Sequence, residues 1–269
     1  MLVIGENINA SNKSVGKAIL NRDRRFIESL AKSQAAAGAD FIDVNSGMGS
    51  GSPEYEAVSM EWLVEVIQEV TDRPLVIDTS SPSVIEAALH KYRGERLMVN
   101  SVTAEPEKLE SIGSLVARHQ AWLVALAMGA NGIPSNVEER LAACEQIMAQ
   151  LSRLGLEAEQ IFFDPLVLPI AVDSTQGIVT LKTLEQIKSR YPAAKTVLGL
   201  SNISYGLPNR RLVNRSFLLM AAYAGLDAVI VNPLDAKMMS FIKVADMLTG
   251  KDPSCRGYIR AHRRGMLID

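Results

Sequence analysis

Eight short apolar runs rich in β-branched residues recur along the chain at spacings of 22 to 38 residues. They begin near Leu2, Asp40, Leu75, Leu97, Trp122, Gln160, Thr196 and Asp227, and read LVIG, FIDVN, LVIDT, LMVNS, WLVALAM, IFFDP, TVLGLSN and AVIVNP. Each is followed by enough chain for a helix. Near-continuous apolar strands are buried on both faces, which requires a parallel sheet covered by helices. Eight such units predict a closed (β/α)8 TIM barrel rather than an open doubly wound sheet.

The helices are legible from their own signals. Met60, Leu63, Val64, Ile67 and Val70 share one face, and so do Leu141, Cys144, Met148 and Leu151. Ser81 followed by Pro82 predicts a capped start, with Val84, Ile85, Ala88 and Leu89 inward; Pro106 starts the next helix. Asp235 predicts a cap and Gly250 a stop. No linker or composition shift divides the chain, so residues 1–250 are expected to form one barrel and 251–269 a basic C-terminal extension. The arginines of that extension read as a solvated face.

Composition narrows the function. A net charge of -2 argues against a general nucleic-acid binder. No apolar stretch approaches the roughly 20 residues that cross a bilayer, and no leader is evident, so a cytoplasmic protein is expected. Two Cys give no disulfide framework, and three His, at 90, 119 and 262, offer no zinc constellation. His90 and His119 fall late in helices, where the dipole favours them. The chain must work with Asp, Asn, Ser and Arg.

In a (β/α)8 barrel the chemistry sits at the C-terminal ends of the strands. Those ends carry Glu6-Asn7-Ile8-Asn9, Asp43 and Asn45, Asp78-Thr79-Ser80, Asn100-Ser101, Asp164-Pro165, Ser201-Asn202 and Asn232-Pro233; only the fifth lacks them. Helix capping and turn chemistry account for some of these. They do not require Asp inside apolar runs such as LVIDT and FFDPL. Asn offers donors and acceptors while ionised Asp only accepts. Such a rim suits a flat heterocycle with amino and ring N–H groups, a pattern that a pterin has.

The segment VLGLSNISYGLPNR from Val197 to Arg210, with IGENIN, LVIDTS, MVNSV and FFDPLVLP in order along essentially the whole chain, resembles the methyltetrahydrofolate–corrinoid protein methyltransferases. It also resembles the folate module of cobalamin-dependent methionine synthase. The resemblance implies a pterin-binding, dihydropteroate synthase-like barrel. Its substrate would be tetrahydrofolate or 5-methyltetrahydrofolate, exchanging a methyl group with the corrinoid (cobalamin) of a separate protein that docks over the rim. It further implies a homodimer in anaerobic one-carbon metabolism. Carried over residue by residue, Asp78, Asn100 and Asp164 match pterin-binding positions, Asn202 matches the residue that reaches N-5, and Arg210 matches a loop Arg near the folate. Asp43 is carried over as a further residue of this pocket. A corrinoid-binding motif is absent, so the corrinoid is expected to arrive on the partner.

The loop Ser204–Pro208 looks closer to the methionine synthase module than to the acetyl-CoA-pathway enzyme. That favours transfer from a methylcorrinoid protein to tetrahydrofolate in a catabolic demethylation system. The alternatives are transfer from methyltetrahydrofolate to a corrinoid iron–sulfur protein, a synthase-like transferase, or a non-catalytic folate-binding barrel. The synthase reading ranks low because the seventh strand ends in Ser201-Asn202 rather than Lys. Gly47, Gly49 and Gly51 lack dinucleotide spacing and read as a loop over the site.

Overall fold

The computed structural model describes residues 1–47 and 52–268; Gly49 and Gly51 of the expected glycine loop lie outside them. Eight parallel strands close into a barrel in chain order, with β1 paired to both β2 and β8. The strands are β1 (Leu2–Asn9), β2 (Phe41–Asn45), β3 (Leu75–Asp78), β4 (Leu97–Val102), β5 (Trp122–Leu126), β6 (Ile161–Asp164), β7 (Lys195–Gly199) and β8 (Ala228–Val231).

Ten α-helices lie outside them among the described residues: α1 (Lys13–Leu20), α2 (Arg24–Ala36), α3 (Pro53–Gln68), α4 (Pro82–Lys91), α5 (Pro106–Arg118), α6 (Val137–Arg153), α7 (Gln176–Arg190), α8 (Arg210–Tyr223), α9 (Ala236–Leu248) and α10 (Arg256–Arg263). The first unit carries two helices, which accounts for its long spacing. Pro82 and Pro106 occupy helix starts as expected. Ser81 stands at the cap position but makes no capping bond, its hydroxyl instead meeting that of Ser83 at 3.0 Å. Asp235 caps α9 by accepting from the Met238 N–H, and Gly250 follows the helix with φ +74°.

The barrel is filled at its waist by Ile4, Phe41, Val76, Met98, Val124, Phe162, Val197 and Ala228, one from each strand. Phe41, Trp122 and Phe162 stack across it with ring centroids 5.5 and 5.1 Å apart. Outside the strands, larger apolar clusters seal the sheet to its helices; one holds Ile42, Leu63, Ile77, Ile85, Val99 and Ile147, and another Leu184, Leu198, Leu218 and Val229. Burial on both faces explains why the runs show no polar alternation.

The chain beyond α9 is not a separate body. Lys251 donates to the Leu226 carbonyl below β8, Ala261 of α10 is buried, and the Ile268 N–H donates to Ser240 of α9. Its arginines are exposed.

Candidate functional site

Side chains in a strand alternate faces, so a step of two residues from an inward position reaches the next inward position. From the apolar waist, that step lands on Glu6, Asp43, Asp78, Asn100, Leu126, Asp164, Gly199 and Ile230. A polar layer therefore rests directly on the apolar floor, at the C-terminal mouth. Four of the sequence-predicted residues, Asp43, Asp78, Asn100 and Asp164, belong to it. Glu6, which the sequence sets at the rim with no assigned role, completes it.

Gly5, just before Glu6, makes room for Gln34 of α2. A Cβ there would stand 2.5 Å from Gln34 Oε1 of α2. The bare backbone lets Gln34 approach, and its Oε1 accepts the Asn7 N–H at 3.1 Å. This contact holds the irregular stretch of β1 between Gly5 and Ile8, where the pairing with β2 shifts register.

On the β2–β4 side, carboxylates meet without a cation. Asp43 is buried, and its Oδ1 has no hydrogen-bond partner among the described residues. Burial pushes its carboxyl well above the usual range; Asp78 and Glu6 add to this by charge repulsion, while the facing Asn100 amide opposes it. Asp78 is also raised by burial, opposed by Asn45, whose Nδ2 donates to Asp78 Oδ2 at 2.9 Å. The Asn45 Oδ1 accepts the Gly47 N–H, fixing which way its amide points. Burial raises Glu6 as well, with the Arg210 charge lowering it. An isolated buried carboxylate keeps its proton until a partner arrives.

The β6 side is built differently. Burial pushes Asp164 up to about 6, against the N–H groups of Leu166 and Gly199 and the positive charge of Arg140. Leu166 N donates to Asp164 Oδ1 at 2.8 Å from a left-handed conformation, φ +69°. That conformation costs a non-glycine residue about 1 kcal/mol or more and must be held by its surroundings. Arg140 of α6, fully buried, does the holding: its Nη1 donates to the carbonyls of Pro165 and Leu166 at 2.9 and 3.0 Å. Arg140 escaped the sequence reading because a run of Glu-Glu-Arg in a first helical turn reads as solvated.

β7 runs into a 3₁₀ turn, Leu200–Ser204, whose Leu200, Ile203 and Ser204 are buried while Asn202 is exposed at the mouth. Asn202 folds back toward the strand end, its Nδ2 3.8 Å from where a Cβ on Gly199 would stand. Arg210, the first residue of α8, donates to the Ser201 carbonyl at 2.7 Å and to the Ser204 hydroxyl at 3.0 Å, and its guanidinium lies over the Tyr205 ring. Arg210 thus braces the turn that presents Asn202. The predicted residues converge on one mouth from four strands, the turn after β7 and the start of α8. The Asn residues at the other strand ends serve their own turns: Asn9 accepts from Ser11 and Asn232 from Leu234.

Among the described residues, no group of three or more His, Cys, Asp or Glu side chains is placed to hold a metal ion, and no helix is long and apolar enough to cross a membrane.

The model of the pterin binding enzymes matches residues 5–232. A methylcorrinoid:tetrahydrofolate methyltransferase of Eubacterium limosum is 34% identical over 269 residues, covering 99% of this chain and 98% of the relative. Methionine synthase of Mycobacterium leprae is 32% identical over 245 residues, 86% of this chain and 20% of that much longer protein. Among solved structures, a dihydropteroate synthase from Coxiella burnetii with pteroic acid superposes with a TM-score of 0.71 at 14% identity, covering 93% of this chain and 94% of that one. The 7,8-dihydropteroate synthase of Vibrio fischeri gives 0.69 at 16% identity over 94% of each. At these identities the structural likeness speaks for the barrel alone.

Proposed function

The chain belongs to the pterin-binding enzymes, and we propose that it is a methyltransferase passing a methyl group from the cobalt of a methylated corrinoid protein to N-5 of tetrahydrofolate. One observation carries the reaction class: the end-to-end similarity to a methylcorrinoid:tetrahydrofolate methyltransferase. That relative's name also supports the direction.

The polar layer supports the ligand. A pterin presents its 2-amino group and N-3 hydrogen on one edge, and an ionised carboxylate has acceptor sites for both. Asp164 is the acceptor we assign, since it still has acceptor sites beyond the backbone N–H groups it already engages. Asp78 and Asn100 bind the ring from the opposite wall, and the unpartnered Asp43 Oδ1 is the buried atom that a ligand polar group would satisfy. Arg210 keeps the Asn202 turn in place and lies near the folate. The corrinoid protein docks over the open rim and supplies the carbon–cobalt bond that breaks.

Asn202 acts on N-5. For transfer to tetrahydrofolate, the nitrogen lone pair forms the new bond to carbon, and the nitrogen gains positive charge. The Asn202 carbonyl accepts the N-5 hydrogen and becomes a better partner as that charge grows. The proton then leaves to solvent. In reverse, the same amide donates to the departing nitrogen. This is stabilisation by a fixed dipole rather than acid catalysis, because an amide has no proton to give near neutral pH.

The chain also works as a homodimer in this reading. An apolar groove of about 450 Å³ between α7 and α8, lined by Ile178, Leu181, Leu212, Phe217 and Met220, supports it. Sedimentation of Leu212→Glu against the parent chain tests that point.

The activity is tested by mixing the protein with tetrahydrofolate and methylcobalamin, free or on a corrinoid protein, and following the cobalt absorption. Demethylation that requires both protein and tetrahydrofolate is expected. Tight folate binding without turnover, even with corrinoid proteins supplied, would leave a folate-binding barrel instead.

A further inference from the structure

Arg140 is completely buried yet pairs with no carboxylate among the described residues. Its guanidinium is spent on neutral acceptors: the carbonyls of Pro134, Pro165 and Leu166, the Thr180 hydroxyl at 3.4 Å and Gln176 Oε1 at 2.7 Å. Thr180 reinforces it, donating to the same Leu166 carbonyl at 2.8 Å. A buried cation with no carboxylate in direct contact is costly to place inside a protein. Anchoring a loop would not require it, since a neutral amide reaches carbonyls too.

The residue it grips explains the expense. Leu166 presents its carbonyl to Arg140 and its N–H to Asp164, from a backbone conformation disfavoured for leucine. The guanidinium thus closes behind the turn that aims an N–H at the carboxyl, and its charge is felt at that carboxyl.

We infer that Arg140 is the positioning residue of the β6 carboxylate: it clamps the Pro165–Leu166 turn from behind and thereby holds the Leu166 N–H on Asp164 and fixes the orientation of that carboxyl. Its consequence for substrate rests on the reading of Asp164 as the pterin acceptor. Few other groups bear on Asp164. From β5, Leu126 pairs with it; from β7, the Gly199 N–H faces it. From α6, the Cys144 thiol is pushed up to about 12 by burial and stays neutral across the range that matters.

The direct test is the titration of the Asp164 carboxyl carbon by NMR in aspartate-labelled protein, assigned by its absence in Asp164→Asn. In parallel, tetrahydrofolate affinity is measured anaerobically from pH 5 to 8. The parent carboxyl should titrate near 6, and affinity should fall as pH drops through that midpoint, because only the anion accepts both N–H groups. In Arg140→Gln the midpoint should rise by roughly one unit, weakening binding by under about twofold at pH 7, about fivefold at pH 6 and nearly tenfold at pH 5. Arg140→Lys, which keeps the charge, should restore the midpoint. Where Arg140→Gln does not fold, Gln176→Glu neutralises the guanidinium from its far side and should move the midpoint the same way. An Asp164 midpoint unchanged in these variants would overturn the inference, even if their melting temperatures fall. A midpoint that moves while folate affinity ignores it would leave Arg140 in its role and remove Asp164 from the pterin site.

Discussion

On the β2–β4 side of the mouth, Asp43 and Asp78 face each other with only the amides of Asn45 and Asn100 between them. On the β6 side, Asp164 stands with two backbone N–H groups in front and a buried guanidinium behind. Both walls bury carboxyls in one layer of one barrel, yet they prepare them differently. Without a cation, burial and mutual repulsion shift the first wall's carboxyls toward the protonated form, so that wall leans toward donor as well as acceptor character. With Arg140 behind it, Asp164 is held at about 6, so the second wall offers an anion at pH 7. A heterocycle with N–H groups on one edge and acceptors on another is matched by that asymmetry. The contrast also assigns labour: the β6–β7 wall should govern the chemistry and hold the pterin N–H edge, while the β1–β4 wall, which holds the ring from the other side, should register its changes in stability and pH response as well.

The strongest test of that division is Asn202→Ala. Removing a dipole aimed at developing charge is expected to lower kcat about 10²–10³-fold with KM changed only a few-fold. Equal losses in both would reduce Asn202 to a binding residue. Next in size is Asp164→Asn. A charge-assisted hydrogen bond contributes about 1.5–3 kcal/mol, so tetrahydrofolate affinity should fall about 10- to 100-fold while saturated turnover changes little. Titration calorimetry beside steady-state kinetics separates the two.

Much of this wall pattern was readable from the chain. The eight apolar runs and their spacing specify the barrel, because doubly buried strands leave few other architectures. Asp43, Asp78, Asn100 and Asp164 stood out as polar residues ending apolar runs, and they share one layer because each follows its waist residue by two. That count also reaches Glu6, whose inward direction was hidden by the register shift in β1. Local turn chemistry disguised other positions: Asn9 and Asn232 look alike at strand ends but bond only to their own loops. Arg140 was illegible for a deeper reason. Its role depends on α6 packing against the turn after β6 and against α7, contacts 25 to 40 residues away in sequence, and no local pattern marks an arginine as buried.

Gly5→Ala probes the other wall. The added methyl would meet Gln34 Oε1 at 2.5 Å, and overpacking of this kind costs about 1–3 kcal/mol. Denaturant unfolding should show that loss. Because Gln34 also holds the Asn7 N–H, the Glu6 carboxyl should be displaced, so the loss should be accompanied by a changed pH response rather than by lost turnover at saturation.

The smallest effect discriminates most sharply between the walls. Asp43 in the folded protein holds its proton well above the usual carboxylate range, chiefly through burial and then through Asp78. In the unfolded chain it ionises near 3.9. Between those two values the unfolded state binds fewer protons, so this residue's contribution to stability falls as pH rises through that window. Asp43→Asn removes the ionisation and, with it, the loss. The variant should therefore gain melting temperature over the parent on going from pH 5 to pH 8. Asp164 should be unaffected, because burial, the Leu166 and Gly199 N–H groups and Arg140 tune it, and Asp43 is not among them. A difference in melting temperature between Asp43→Asn and parent that stays constant across pH would mean that Asp43 ionises normally, and the distinction between the two walls would collapse to one of shape.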